Sequence, residues 1–294
     1  MNEAALGVQE GAWDLKLGFH VSIAGGIERS VGRAKAAGCQ VFQIFTSNPR
    51  SWKSAEISPR SAEAFRDEMA VFGLELAVAH MPYLPNLASP RPDVHRQSLE
   101  VLVRELSRCQ ILGIPYLVTH MGSHLGAGRK AGLAQIIQAL SSALDLPGRT
   151  MILLETTAGT RNSMGGTFRD IAEVMDRTGT DRLGVCLDTC HIFAAGYEVR
   201  TREGFFETMK QFDSEIGSGH IRLIHLNDCL STLGSGRDRH QHLGLGGIGE
   251  DGLRAVLHHP ALQDLPVILE TPVDEGRDDR GNLDVARRLS SESC

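Results

Sequence analysis

Residues 151–188 read MILLETTAGTRNSMGGTFRDIAEVMDRTGTDRLGVCLD. Met151–Glu155 is an apolar run closed by a carboxylate, and Leu183–Asp188 is another. Between them Thr167–Thr178 carries a helical pattern, followed by Gly179 where a helix end wants a residue tolerant of positive φ. A buried strand, a helix and a second buried strand make one βα unit of a parallel sheet. The same cadence runs outward in both directions. Further strands are expected at Lys16–Val21, Val41–Phe45, Leu76–His80, Tyr116–His120, Ile221–Leu226 and Pro266–Glu270. The clearest helix is Val94–Ile111, with Leu99, Leu102, Val103 and Leu106 on one face. Weaker helical patterns cover Ile27–Ala37, Ser61–Phe72, Leu133–Leu144 and Asp251–Leu257, and a short last helix follows the charged loop Asp274–Asn282. Gly38, Gly73 and Gly113 also stand where C-caps are wanted.

Eight such units predict an α/β fold, a (β/α)8 TIM barrel. Its 294 residues are near the roughly 250 that such a barrel uses as one domain. No Ser/Pro/Gly-rich linker divides the chain. Residues 1–15 are expected to be a tail and 16–294 the barrel domain. Hydrophobic residues at 41% and charged residues at 22% exclude a disordered chain. No apolar run approaches the roughly 20 residues needed to cross a bilayer, and the N-terminus has no basic, then apolar, leader pattern. No membrane partner is therefore expected. Six irregularly spaced cysteines without an export signal read as reduced thiols. A net charge of −6 argues against a generally basic surface, though not against a local one.

The chemistry lies in how the strands finish. Six consecutive strands end in His80, His120, Glu155, Asp188, His225 and Glu270. In a barrel these positions converge on the C-terminal face, where active sites sit. Any one of them alone reads as a hydrogen-bonded core residue. Six at equivalent positions point to a shared site, because burying carboxylates together is unfavourable without positive charge among them. Imidazoles and carboxylates without thiolates suit Zn2+ or Mn2+. Two loops extend the set. His191 falls three residues after Asp188. Asp238 and His240 alternate in Arg237-Asp238-Arg239-His240, so both side chains face one way if the loop is extended. Nine candidate ligands exceed what one four-coordinate ion takes, which implies two or three ions with a bridging carboxylate. Paired metals recur in phosphodiester hydrolysis.

With these residues in hand, the chain resembles the endonuclease IV family of apurinic/apyrimidinic endonucleases over roughly residues 17–270. The most specific stretches are Gly184–Tyr197 (GVCLDTCHIFAAGY) and His225–Gly249 (HLNDCLSTLGSGRDRHQHLGLGGIG). His20–Gly26 (HVSIAGG), Phe45–Trp52 (FTSNPRSW), His120–His124 (HMGSH) and Leu154–Gly159 (LETTAG) support them. The resemblance implies three zinc ions, with manganese an alternative at some sites. It assigns His80, His120 and Glu155 to one ion. Glu155, Asp188, His225 and Glu270 go to a second, and His191, Asp238 and His240 to a third. The implied reaction is hydrolysis 5′ to an abasic site in double-stranded DNA, leaving a 3′-hydroxyl and a 5′-deoxyribose phosphate, with 3′-end cleaning as a second activity. Glu270 would help position the nucleophile, with Glu155 and His191 also counted as catalytic. Arg50 matches a loop residue that inserts into the duplex, and Tyr83 an aromatic of a second minor-groove loop. Trp52 beside Arg50 is a further DNA-contact candidate, since a cation and an aromatic can stack and touch phosphates. The resemblance also implies a monomer working in the cytoplasm at the nucleoid.

Three positions depart from the family pattern. Leu230 stands where Lys is usual, Thr156 where Asn is usual, and Met121 where Pro is usual. Gly244–Gly249 formally matches G-x-G-x-x-G, but it does not directly follow a strand, so no nucleotide cofactor is expected. Cys186 and Cys190 near His191 lack C-x-x-C spacing and read as packing residues. Arg50, Lys53, Arg91, Arg129, Lys130, Arg161, Arg237 and Arg239 fall in or beside βα loops, which predicts a positive C-terminal face on an acidic protein. The competing reading is a metal-dependent sugar isomerase or epimerase on a similar barrel. Such an enzyme needs neither His191, Asp238 and His240 nor an Arg50 loop.

Overall fold

A computed structural model describes residues 15–292. The expected tail therefore lies outside the described residues except for Leu15, which packs against the core. Ten strands occur in chain order: β1 (Leu17–Phe19), β2 (Val41–Phe45), β3 (Leu76–His80), β4 (Tyr116–Thr119), β5 (Met151–Glu155), β6 (Leu183–Asp188), β7 (Ile221–His225), β8 (Asp228–Cys229), β9 (His240–Gln241) and β10 (Val267–Leu269). The helices are α1 (Arg29–Ala37), α2 (Pro59–Phe72), α3 (Pro92–Leu112), α4 (Arg129–Leu144), α5 (Phe168–Thr178), α6 (Thr189–Ala195), α7 (Arg202–Glu215), α8 (Gly249–Leu257) and α9 (Asp279–Ser291).

Eight strands pair in parallel in the order β1-β10-β7-β6-β5-β4-β3-β2. The two ends meet where His20 bridges Gln43, with Val21 N–H donating to Gln43 O at 2.7 Å and Gln40 N–H to Leu17 O at 3.0 Å. Gly18 permits this closure, because a Cβ there would lie 1.7 Å from Val41 O. The result is the expected single-domain (β/α)8 barrel. β8 and β9 form a separate antiparallel hairpin between β7 and α8.

Local chemistry sets the boundaries. Ser58, Thr167 and Thr201 accept N-cap bonds from Ser61, Asp170 and Gly204. Gly38, Gly73, Gly113 and Gly179 close α1, α2, α3 and α5 in the left-handed region, as their places in the sequence predict. Two helices escape the periodic reading. In α6 all residues but Ala195 are buried, so no polar face marks it. In α7 the stripe Phe205, Thr208, Met209 and Phe212 is blurred by the neighbouring exposed Phe206. β1 and β10 are three residues each, shorter than the expected Lys16–Val21 and Pro266–Glu270.

Inside the barrel, Val41, Val78, Val118, Leu153, Cys186, Leu223 and Ile268 form one buried layer, one residue from each of seven strands. Each buried aliphatic contributes about 1.5–3 kcal/mol. Gly18 holds the eighth position. This layer is the floor beneath the site. Among the described residues no helix is long and apolar enough to cross a membrane. Cys39, Cys109, Cys186, Cys190 and Cys229 are free and buried.

Candidate metal centre

Side chains alternate along a strand, so the residue two beyond each floor position points inward again. Those positions are His20, Gln43, His80, His120, Glu155, Asp188, His225 and Glu270. All eight are polar; Gln43 lies inside β2, and the other seven lie at or just beyond the C-terminal ends of parallel strands. His191 joins them from α6, whose first turn is capped when Asp188 Oδ1 accepts His191 N–H at 2.8 Å. Asp238 and His240 arrive on the β8–β9 hairpin. His240 Nδ1 donates to Glu270 O at 3.0 Å, which ties β9 to the end of β10.

The nine ligand candidates fall into three groups whose donor atoms lie within 4.8 Å of one another: His80, His120 and Glu155; Glu155, Asp188, His225 and Glu270; His191, Asp238 and His240. Glu155 belongs to the first two. A fourth grouping, Asp188, Cys190 and His240, includes a thiol. The bond Cys190 makes to Cys229, together with burial, pushes its thiol up.

Hydrogen bonds fix which nitrogen of each imidazole faces inward. His80 Nδ1 lies 2.7 Å from Met81 O and His191 Nδ1 2.8 Å from Thr156 O. A carbonyl only accepts, so these nitrogens carry the hydrogen and Nε2 presents its lone pair. His225 is reversed: its Nε2 donates to Gln43 Oε1 at 2.9 Å, leaving Nδ1 toward Glu155 at 3.1 Å and Glu270 at 3.2 Å.

Several inward nitrogens sit close to carboxylates without hydrogen-bond alignment. His120 Nε2 is 2.9 Å from Glu155 Oε2, His191 Nε2 is 3.1 Å from Asp238 Oδ2, and His240 Nε2 is 3.3 Å from Asp238 Oδ1. The buried Nε2 atoms of His191 and His240 have no hydrogen-bond partner. Nitrogen and oxygen ligands on a tetrahedral zinc ion lie about 3.3 Å apart. Close approach with lone pairs aimed past the neighbour fits donors that share a cation. Electrostatics agree. Burial alone would raise the Glu155 carboxyl, yet His120 and His225 outweigh it and hold it well below the usual range. At Glu270 burial is likewise overcome, first of all by His225. His191 is drawn well above the ordinary imidazole value despite burial, by Asp188, Asp238 and Glu155. The ionised carboxylates demand positive charge. The residues present therefore fit a multi-cation centre.

Sequence reasoning missed three members of this scaffold. The Gln43 amide accepts from His225 and donates to Glu270 Oε1 at 2.7 Å. His20 Nδ1 lies 3.0 Å from Gln43 Nε2. Asn227 Nδ2 donates to Asp188 Oδ2 at 2.7 Å, and its Oδ1 accepts Glu270 N–H at 2.8 Å. Counting two residues on from the floor would have found Gln43, the only polar residue in Val41–Phe45.

The glycine motif also finds its use. Asp228 is fully buried, and its carboxylate accepts N–H bonds from Cys229 (2.7 Å), Gly244 (3.0 Å), Gly246 (2.9 Å), Ile248 (2.9 Å) and Gly249 (3.3 Å). The loop does cradle an anion, but the anion is the protein's own carboxylate, not a nucleotide phosphate.

A cavity of about 570 Å³ opens over the centre, with His80, His120, His191, Asp238, His240 and Glu270 on its floor and Tyr83 at its wall. Tyr83 is exposed, and its ring meets Phe45 edge-on at 5.1 Å. Tyr83 N–H donates to Pro49 O at 3.2 Å, which sets exposed Arg50 beside it. Trp52 is half-buried and packs against the core. Two expected surface cations are engaged within the protein: Arg91 pairs with Asp93 at 3.0 Å, and Arg129 with Asp170 at 2.6 Å and Glu173 at 2.9 Å.

Residues 31–290 match the family model described as a xylose isomerase-like TIM barrel. A relative from Methanoculleus marisnigri named probable endonuclease 4 is 50% identical over 277 residues, which cover 93% of this chain and 98% of that one. The chain belongs to the endonuclease IV family. The crystal structure of endonuclease IV from Thermus thermophilus superposes with a TM-score of 0.85 at 38% identity, covering 95% of this chain and 100% of that one. A D-tagatose 3-epimerase-like protein superposes with a TM-score of 0.71 at 17% identity, over 94% of this chain and 96% of that one, and shares the fold alone. As an endonuclease IV family member, the chain keeps its departures clear of the ligand positions. Met121 is buried beneath the loop, Thr156 Oγ1 accepts Asp188 N–H at 2.9 Å, and Leu230 is exposed on the hairpin opposite Arg239.

Proposed function

We propose that this chain is a zinc-dependent DNA repair endonuclease that hydrolyses the phosphodiester bond 5′ to abasic sites in duplex DNA. The products are a 3′-hydroxyl and a 5′-deoxyribose phosphate, with 3′-end cleaning as a second activity. Family membership makes it a nuclease of the phosphodiesterase kind. The observation that carries the finer reading is the three donor groups, two of which share Glu155. His80, His120 and Glu155 would hold one zinc, Glu155, Asp188, His225 and Glu270 a second, and His191, Asp238 and His240 a third. Manganese is an alternative at some sites.

Bound zinc supplies Lewis-acid stabilisation to phosphate oxygens and eases the ionisation of water. Glu155 spans two groups and fixes their spacing. Glu270, aimed by Gln43 and by its backbone bond from Asn227, positions the attacking water. His191, Asp238 and His240 would hold the third zinc, which would supply stabilisation to the leaving 3′ oxygen. Arg50 and Tyr83 reach the duplex from two loops joined through Pro49, and Trp52 braces the first loop from its half-buried place. The 570 Å³ cavity receives the extruded sugar, where a nucleotide without its base leaves the stack most readily. The third donor group and the Arg50 loop are parts that sugar epimerisation does not need.

The test is incubation of metal-loaded protein, with bound zinc verified, with a duplex carrying one synthetic abasic site. Incision on the 5′ side is expected. Intact duplex would overturn the reading.

A further inference from the structure

Away from the metal centre, α3 carries a buried polar cluster that no step above uses. Glu105 is fully buried and Arg108 nearly so. Neither lines the cavity. Isolated buried charges are unfavourable, so their partners tell what they do. Arg104 Nε on the same helix lies 3.7 Å from Glu105 Oε1, and the side-chain hydrogen bonds of Glu105 and Arg108 all go to the loop that follows β2. Thr46 Oγ1 donates to Glu105 Oε2, and Ser47 Oγ donates to Glu105 Oε1 at 3.2 Å. Arg108 Nε donates to Thr46 Oγ1 at 2.8 Å, its Nη2 to Thr46 O, and its Nη1 to Ala55 O at 2.8 Å. Arg104, one turn earlier, donates to Trp52 O at 3.2 Å.

Residues 46–58 contain neither strand nor helix. Irregular stretches of that length are uncommon in compact domains unless they serve a function. The α3 clamp grips the start of the loop at Thr46 and Ser47 and its far side at Trp52 and Ala55. Between the grips lies the exposed turn with Arg50, where Asn48 Oδ1 accepts Arg50 N–H at 3.0 Å. The clamp leaves Arg50 exposed while fixing both ends of its turn, and Pro49 O passes that placement to Tyr83.

We infer that Thr46, Glu105 and Arg108 are positioning residues for the Arg50 turn, holding it in the conformation that engages duplex DNA. This rests on the reading of Arg50 as a DNA contact. A preorganised turn binds without the entropy loss of ordering a free loop. Thr46 is the keystone, since its hydroxyl accepts from Arg108 and donates to Glu105 at once.

The test compares wild type, Thr46→Val, Thr46→Ser, Arg108→Lys, Arg50→Ala and the Thr46→Val/Arg50→Ala double variant. Kinetics are measured on an abasic duplex and on bis(p-nitrophenyl) phosphate, a small diester with no groove to engage. Metal content and hydrogen exchange of residues 47–57 are read in parallel. Thr46→Val and Arg108→Lys are expected to raise KM on the duplex about tenfold with kcat changed less than about twofold. Their small-diester rate and metal content stay at wild-type level, and amides of 47–57 exchange faster. Thr46→Ser keeps the hydroxyl and restores wild-type behaviour. In the double variant the two losses should not multiply, because both act through one contact. An unchanged duplex KM in both Thr46→Val and Arg108→Lys, or losses that multiply fully with Arg50→Ala, overturns the inference. Failure of the wild type to incise, or an Arg50→Ala variant with wild-type KM, instead removes the functional reading on which it rests.

Discussion

Asp228→Asn tests how the third donor group is held. Asp228 Oδ1 accepts from Cys229 and Ile248, and Oδ2 from Gly244, Gly246 and Gly249. An amide offers one accepting oxygen. In its better orientation that oxygen keeps the three glycine donors, and the NH2 group is pressed against the N–H groups of Cys229 and Ile248. The loop has little room to adjust, since a Cβ at Gly246 would already lie 2.4 Å from Asp228 Oδ1. Two hydrogen bonds to a charged group are lost, each contributing about 1.5–3 kcal/mol, so the variant should lose about 3–6 kcal/mol. At about 2–4 °C per kcal/mol for a chain of this size, Tm falls by about 6–24 °C. Urea melts followed by circular dichroism give the free energy, and metal analysis of the variant, still folded in the cold, gives stoichiometry. Asp238 and His240 enter the site on the hairpin that Asp228 anchors, so the ion that His191, Asp238 and His240 are proposed to hold should be lost first. Stability within about 1 kcal/mol of wild type would falsify the bond count. A large stability loss with full metal content retained would break the link between loop and centre.

Other perturbations separate the parts. His191→Ala should lower kcat about a hundredfold or more, read by single-turnover incision at saturating enzyme; unchanged kcat rejects its place among the ligands. Gln43→Leu leaves His225 Nε2–H and Glu270 without their shared partner, so metal affinity should fall about 10–100-fold in competition with a chromophoric chelator. Wild-type affinity would mean that Gln43 does not orient the donors. Leu230→Lys puts a cation at an exposed hairpin position, so the slope of log affinity against log salt should steepen by about 0.9 if it reaches one phosphate. An unaltered slope places Leu230 outside the DNA footprint.

The barrel and six members of its site are legible because one rule governs both. A short apolar strand that ends in His, Asp or Glu announces its own direction and its own open end. His191 and the pair Asp238 and His240 were reachable from local spacing, and the structure brings His240 Nε2 within 3.3 Å of Asp238 Oδ1. His20 and Gln43 were not reached, because β1 is only three residues long and Gln43 lies inside its strand, not at its end. α6 was not read because a helix buried on all sides lacks amphipathic contrast. Nothing in the order of residues could show that Asp228 meets Gly244–Gly249, or that Glu105 reaches Thr46, 59 positions away. Those contacts exist only once the barrel closes.

The net charge of −6 becomes informative when it is divided over the molecule. On the outer helices some basic side chains are matched by acids: Arg254 and Arg288 both pair with Glu292, and Arg287 with Asp284, while Arg33, Arg60, Arg66 and Arg280 make no ion pair among the described residues. The C-terminal face is mixed in the same way. Arg91 and Arg129 are engaged by neighbouring carboxylates, whereas Arg50, Lys53, Lys130, Arg161, Arg237 and Arg239 make no ion pair among the described residues. Four carboxylates, Glu155, Asp188, Asp238 and Glu270, lie together at this face. Under the proposed function, without cations in the centre they would repel the phosphate that Arg50 would attract. With cations bound, the face would favour a polyanion. Metal and DNA would then be coupled ligands. Whatever factor metal loading adds to duplex affinity, the duplex must return as metal affinity, because the coupling free energy between two sites is one quantity. On the proposed function, the acidic composition that at first argues against a nucleic-acid partner would, at its most concentrated, make binding of that partner depend on metal.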